Sequence, residues 1–349
     1  MKKYWQKITH WELWPFYLIY TPLVFVWLYY FLRTRTFWYF SSVNPTLQFS
    51  GFEGETKREM FDQLPKESFP VTIYINPAQS FELVVKQLTE AGLQFPIAVK
   101  PDIGSKGLCF RKIENIDQLK KYHETLPYDY LIQSMIEWPL EVSIFYVRYP
   151  NSTKGKVTGF IAKEYMQVKG NGNNNLLELI QQHPKAKYRL EELTTKHAAH
   201  LSDIIPANET YFLSITGNHN RGAKFINLHK EIDERLTEVF DKLSNYSKHF
   251  YYGRFDVKAA SLADLKAGKN FSILEFNGTG AEPNHIYDCG MNYFTALRTI
   301  ATHWKYMYEI GKINHANGVP YVNFNQGKKY LQAAFKRYAA LEKFDLALD

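Results

Sequence analysis

The sequence predicts an α+β fold, and three observations carry that expectation. Short apolar strands alternate with amphipathic stretches from Val71 onward. Two segments late in the chain alternate polar and apolar residues with period two, and helical patterns close the sequence. In the first of those segments, Arg254-Phe-Asp-Val-Lys258, the polar residues Arg254, Asp256 and Lys258 fall on one face of a strand. In the second, Ile273-Leu-Glu-Phe-Asn277, Glu275 and Asn277 do the same. If these strands pair, two carboxylates, an amide and an arginine share one face above a layer of Phe255, Val257, Leu274 and Phe276.

The elements follow in order. Ser41 to Lys66 is rich in Ser, Asn, Pro, Gly and Glu and reads as an irregular linker or docking segment. Val71 to Ile75 is a strand, Asn76-Pro77 a turn, and Ser80 to Ala91 a helix with Ser80 as N-cap and Gly92 as its stop. Strands are expected at Ile97 to Lys100, Leu108 to Arg111, Tyr130 to Ile136 and Glu141 to Tyr149, with a helix over Ile116 to His123. Gly170 to Asn175 is a polar loop before a helix at Leu176 to Gln182, and Asp233 to Ser247 is an amphipathic helix. From Met291 two helices are expected, the last (Lys328 to Phe344) cationic and aromatic. Its Lys328, Lys329, Lys336 and Arg337 are candidates to face anionic lipid.

The 349 residues suffice for two or three small domains or one large α/β unit. A formal charge of +7 and a pI near 9.0 could suggest nucleic acid, but the Lys and Arg are scattered and form no recognition motif. An anionic substrate or membrane surface fits better. Cys109 and Cys289 are too few and too far apart for a disulfide framework or a zinc site, which points to a reducing compartment. From Leu13 to Leu32 there is no charged residue. Pro15, Pro22 and the abundant aromatics favour an in-plane or re-entrant membrane anchor, with a true span and a buried hydrophobic arm as alternatives.

Chemistry concentrates in two places. Pro96-Ile-Ala-Val-Lys-Pro-Asp-Ile-Gly-Ser-Lys-Gly107 delivers Lys100 on a strand into a loop where Gly104 and Gly107 let backbone amides approach phosphate. It has neither Walker A nor dinucleotide-fingerprint spacing. Asp256, Glu275 and Asn277 supply hard oxygen ligands of the kind Mg²⁺ takes beside triphosphate oxygens. No Ser/His/Asp or Cys/His constellation provides a protein nucleophile. His219, His229 and His285 read as structural or substrate-positioning, and the His197-Ala-Ala-His200 pair as a solvated helix face.

Taken in order, Val99 to Gly107, Gln133 to Glu141, Val168 to Ile180, Gly217 to Lys224, Arg254 to Val257 and Leu274 to Pro283 resemble the ATP-grasp superfamily. Its D-alanine:D-alanine ligase and cyanophycin-synthetase-like branches are the most similar. The resemblance implies an ATP-grasp fold of two α+β subdomains clamping ATP over residues 96–290. A hydrophobic membrane-associated segment (1–40) and a linker with a reduced α/β piece (41–95) precede it, and C-terminal helices (291–349) follow. It implies that Lys100, Gly104, Ser105, Lys106 and Gly107 hold phosphates, with Lys163 a weaker contact. Ser134, Met135 and Ile136 would lie against adenine and Glu141 on the ribose. Asp256, Glu275 and Asn277 would bind Mg²⁺, and Arg254 would stabilise the reacting centre. Asn218, Arg221 and Gly222, with Thr279, Gly280 and Glu282, would approach substrate. Gln133 and Asn171 depart from the residues usual in the family, and most of its N-terminal domain is missing, so D-alanine specificity does not transfer.

The expected activity is an ATP- and Mg²⁺-dependent carboxylate-amine ligase at the cytoplasmic face of the membrane. It would act on amino-acid or peptide-like substrates, such as a cell-envelope precursor. A phosphotransferase and a non-catalytic nucleotide-binding scaffold are the alternatives.

Overall fold

The computed structural model describes residues 11–105, 107–214, 217 and 222–348. The chain forms two compact units, one of residues 1–161 and 227–349, the other of 162–226.

In the larger unit, strands β1 (Thr72–Ile75), β2 (Ile97–Pro101), β3 (Arg111–Ile113) and β4 (Tyr130–Ser134) form an antiparallel sheet ordered β1-β4-β2-β3. The α/β piece at residues 72–90 is thus part of this sheet. Its helix, Phe81–Glu90, begins where Ser80 accepts a hydrogen bond from Leu83 N and stops at Gly92, whose φ of +67° suits glycine. The third strand starts at Arg111 rather than Leu108. Cys109, at φ +54°, interrupts the extended run, and its amide donates to Asp345 of the C-terminal helix (2.8 Å). That helix, Phe324–Ala347, lays Leu341 into the core of this sheet beside Ile97, Val99 and Tyr130. Its Arg337 covers the Tyr128 ring at 3.8 Å, so this cation is turned to the protein and not to lipid.

Residues 135–139 carry the chain from the first sheet to β5 (Leu140–Val147) of the second, followed by β6 (Lys156–Glu164). The smaller unit holds the antiparallel pair β7 (Gln167–Lys169) and β8 (Thr210–Phe212), the helix Leu176–Gln182 with Asn175 and Glu178 in a capping box, and the start of β9 (Lys224–Asn227). Its core gathers Leu176, Ile180, Leu193 and Leu213. His197 is not on a solvated face: its ring nitrogens meet Tyr211 Oη and the Leu213 carbonyl, both at 3.1 Å.

The second sheet is completed by β10 (Tyr252–Ala259) and β11 (Phe271–Asn277), in the order β11-β10-β5-β6-β9. The amphipathic helix Glu234–Tyr246 packs Phe240 against Phe255. A second core cluster joins Trp38, Tyr39 and Phe40 to Phe145, Tyr252, Met307 and Ile310; of the helix Tyr293–Ala316, Trp304, Tyr306 and Tyr308 pack partly buried against it while Phe294 stays exposed.

Among the described residues no helix is long and apolar enough to cross a membrane. The uncharged run is broken into Phe16–Tyr20, a turn at Thr21–Leu23 and Val24–Thr34, which removes the reading as one continuous span.

Candidate active site

Strands β10 and β11 pair antiparallel with Arg254 opposite Asn277 and Asp256 opposite Glu275. The polar residues of the two strands therefore meet as their alternation requires. On the other side of β10, Asp256 lies opposite Ser143 and Lys258 opposite Glu141, which extends the polar face onto β5.

The register shifts between Asp256 and Val257, leaving Leu274 without a cross-strand partner. This bulge changes the expected apolar layer. Ile273, fully buried, takes the core position, and Leu274 is only half-buried.

Leu274 instead presents its carbonyl to Lys100 Nζ, which donates to it at 2.9 Å. Lys100 is half-buried, and the desolvation of its ammonium brings its pKa down to about 8. Lys57 adds to that lowering, while Glu275 and Asp256 oppose it.

Asp256 accepts from Ser143 Oγ at 2.6 Å, Ser143 accepts from Asn284 Nδ2 at 3.0 Å, and Arg254 Nε stands 3.5 Å from Asp256 Oδ1. Arg254 also donates to the Glu282 carbonyl at 3.1 Å. Glu282 Oε1 accepts from both Tyr20 and Tyr287, at 2.6 Å each. Burial, followed by the Glu282 charge, pushes both phenols up, so they remain donors. His285 is buried and held neutral, down to about 4, chiefly by burial.

Two carboxylates and an amide oxygen on adjoining strands suit a hard divalent cation. The residue types and their register therefore fit Mg²⁺. Ser134 ends β4, Met135 and Ile136 follow in the passage between sheets, and the Ile136 carbonyl accepts from Lys258 Nζ at 2.9 Å. Glu141 is buried at the start of β5. Gly104, Ser105 and Gly107 form the turn after β2, where Leu108 N donates to the Ser105 carbonyl and Gly107 adopts φ +72°.

Thr279 and Gly280 are less available than the sequence suggests. Their amides donate to the carbonyls of Ser50 and Gly51 at 3.1 and 3.0 Å. The segment 41–56 is thus a docked strap. Buried Asn44 fixes it by donating to the Tyr252 carbonyl at 2.8 Å and to the Ser50 carbonyl at 3.3 Å.

Lys163 and Gly222 belong to the smaller unit, where a side chain at Gly222 would run into Met166 Cε. Lys106, Asn218, Arg221 and His219 lie outside the described residues.

Sequence reasoning missed three contributors. Ser143 could have been found by continuing the period-two pattern from Glu141. Lys57 opens a short helix, Lys57–Phe61, and its Nζ stands 3.9 Å from Glu275 Oε1 with only 6% of the residue exposed. The Thr56-Lys-Arg-Glu59 pattern is a helix-start signature that marks this position, and Thr56 does accept from Glu59 N. Glu55, beside Glu53, Lys57 and Glu275, is pushed up to about 7, mainly by burial.

No family model matches the chain, and no curated protein matches it significantly. Among solved structures it is similar to D-alanine--D-alanine ligase from Bacillus anthracis complexed with ATP: 14% identity, TM-score 0.43, covering 75% of this chain and 68% of that one. A bifunctional glutathione synthetase from Pasteurella multocida is 17% identical at a TM-score of 0.40, over 71% of this chain and only 36% of the synthetase. The ATP-grasp ligase PsnB complexed with minimal precursor is 16% identical at 0.37, over 70% and 60%. Likeness at this level gives no residue a role.

Proposed function

We propose that the chain is an ATP- and Mg²⁺-dependent carboxylate-amine ligase. The observation that supports it most is the single polar face on which Glu141, Ser143, Arg254, Asp256, Lys258, Glu275 and Asn277 meet, with Lys100 reaching the same strand from the first sheet.

Asp256, Glu275 and Asn277 would hold Mg²⁺, which when bound neutralises phosphate oxygens. Lys100 and Lys57 add two cations for a triphosphate beside the glycine turn. Ser143 keeps one Asp256 oxygen in a fixed hydrogen bond, which orients the carboxylate. Glu141 has the acceptor oxygens for ribose hydroxyls.

In the proposed reaction a substrate carboxylate oxygen attacks the γ-phosphorus, the bond to ADP breaks, and an acyl phosphate forms. An amine then attacks the acyl carbon, phosphate leaves, the amine loses a proton and an amide results. Arg254, close to Asp256 and tied to Glu282, would stabilise the oxyanion. The carboxyl substrate is read as an amino acid or peptide-like acid, in keeping with the resemblance carried by the motifs.

Incubation with ATP, Mg²⁺ and paired panels of amino acids, peptides and amines tests this reading, with phosphate release and product masses followed together. ADP, phosphate and an amide formed only when both substrates are present is the expected result. A stable phosphorylated product would make the protein a phosphotransferase. Tight ATP binding without turnover on any pair would make it a scaffold.

A further inference from the structure

The helices Phe16–Tyr20 and Val24–Thr34 are anchored to the body by their buried residues Ile19, Leu23 and Tyr30. Their other side is bare. Tyr17 is 65% exposed, Phe25 75% and Leu32 71%, with Val24, Leu28 and Tyr29 between them also exposed. Val24, Phe25, Leu28, Tyr29 and Leu32 are spaced by three and four residues and form one stripe about 12 Å long on the helix Val24–Thr34 at ~1.5 Å per residue, with Tyr17 exposed on the helix before it. No charge interrupts it. Tyr293 donates to the Leu18 carbonyl at 3.2 Å, and its neighbour Phe294, 79% exposed, adds a further apolar group. A monomer in water rarely leaves so much contiguous apolar surface uncovered.

At the C-terminal end of the stripe a groove of about 850 Å³ opens between this helix and Tyr293–Ala316. Arg33, Lys305 and Lys312 line it with Tyr29 and Tyr308, against one carboxylate, Glu309. Glu309 is already engaged: Tyr149 donates to it, and Lys305 stands 3.7 Å away. The groove is therefore cationic, and Arg35 lies exposed just beyond it.

An apolar stripe followed by tyrosines and then cations matches the layers of a lipid leaflet. Acyl chains would meet the stripe, the interface would take the tyrosines, and anionic phosphate would take the cations. A protein partner would have to supply both a greasy strip and acidic groups in the same order.

We infer that this face docks in the plane of a bilayer carrying anionic lipid, with the groove between Arg33 and Lys312 receiving a lipid phosphate. The cationic contact of this face comes from Arg33, Lys305 and Lys312.

Flotation of the full chain with vesicles of phosphatidylcholine alone, or mixed with phosphatidylglycerol, tests the assignment. The wild type should float weakly with phosphatidylcholine alone and more strongly with the mixed vesicles, and salt should remove the difference. Phe25→Glu with Leu32→Glu should abolish flotation on both. Serine at the same two positions serves if the carboxylates lower the melting temperature. Arg33→Glu with Lys312→Glu should remove only the phosphatidylglycerol-dependent part, weakening apparent affinity by at least about tenfold. Absence of wild-type flotation would overturn the inference. So would a stripe variant that converts a dimer to a monomer while flotation is unchanged, because a second copy would then cover the stripe.

Discussion

Lys100 Nζ donates to the Leu274 carbonyl at 2.9 Å, joining the first sheet to the bulge of the second. The bulge leaves Leu274 out of the ladder. The contact holds the half-buried ammonium where the charges of Glu275 and Asp256 act on it.

Lys100→Met should therefore separate stability from function. The folded pKa, down from 10.5 to about 8, lies below the unfolded value. Stability from this group thus rises with pH between about 8 and 10.5, and below 8 the buried charge costs about 3 kcal/mol. At pH 7 the methionine variant is expected to melt higher than wild type while losing ATP affinity. ATP affinity of the wild type should decline as pH rises through 8, with proton uptake on binding. Differential scanning calorimetry and ATP titrations in buffers of different ionisation enthalpy measure both. A lower melting temperature without loss of ATP binding would contradict this account.

Asp256→Asn and Glu275→Gln preserve shape while removing the charge that a divalent cation needs. Each is expected to reduce Mg·ATP turnover by at least about 100-fold, as loss of ~3 kcal/mol of interaction with the reacting centre would do. Circular dichroism should stay unchanged. Near-normal turnover in both variants would show that the cation binds elsewhere.

The polar face was legible in the sequence because alternation is a local property. Arg254, Asp256, Glu275 and Asn277 declare their side of the strand without knowledge of any partner. The bulge was not legible: Ile273 and Leu274 are both apolar, so hydrophobicity cannot say which enters the core. Nor was the strap. Ser50 and Gly51 engage Thr279 and Gly280 through backbone atoms, and such contacts leave no mark on residue type. Lys57 lay in between, signalled by its helix cap but separated in sequence from the site it joins.

Ser143→Ala should expose the role of the hydroxyl that holds Asp256. Loss of a buried 2.6 Å bond to a carboxylate is expected to cost about 1–2 kcal/mol of stability. It should also raise the Mg²⁺ concentration for half-maximal activity, because Asp256 is free to rotate. Urea unfolding and a Mg²⁺ titration are the measurements; an unchanged Mg²⁺ requirement would confine Ser143 to packing.

Lys57→Met removes a nearly buried cation from beside Glu275. Apparent ATP affinity should fall about tenfold, equivalent to ~1.4 kcal/mol. Lys57→Arg should restore part of it. An effect on melting temperature alone, with the KM for ATP unmoved, would make Lys57 a structural counter-ion.

Gly280→Ala probes the strap. A Cβ at residue 280 would fall 1.9 Å from the Phe52 carbonyl oxygen, a backbone atom that cannot step aside without lifting the segment off Thr279. The two amide hydrogen bonds to Ser50 and Gly51 should break with it, for a loss of at least about 2 kcal/mol. Gly290→Ala is the matched control: φ is +73° there but no atom lies within 4 Å, so only backbone strain of about 1 kcal/mol is added. If the strap is docked as described, Gly280→Ala melts well below Gly290→Ala and is cleaved faster by protease between residues 41 and 66. Equal melting temperatures and equal cleavage would mean that the segment is held by its aromatic side chains and not by the Gly278–Gly280 backbone.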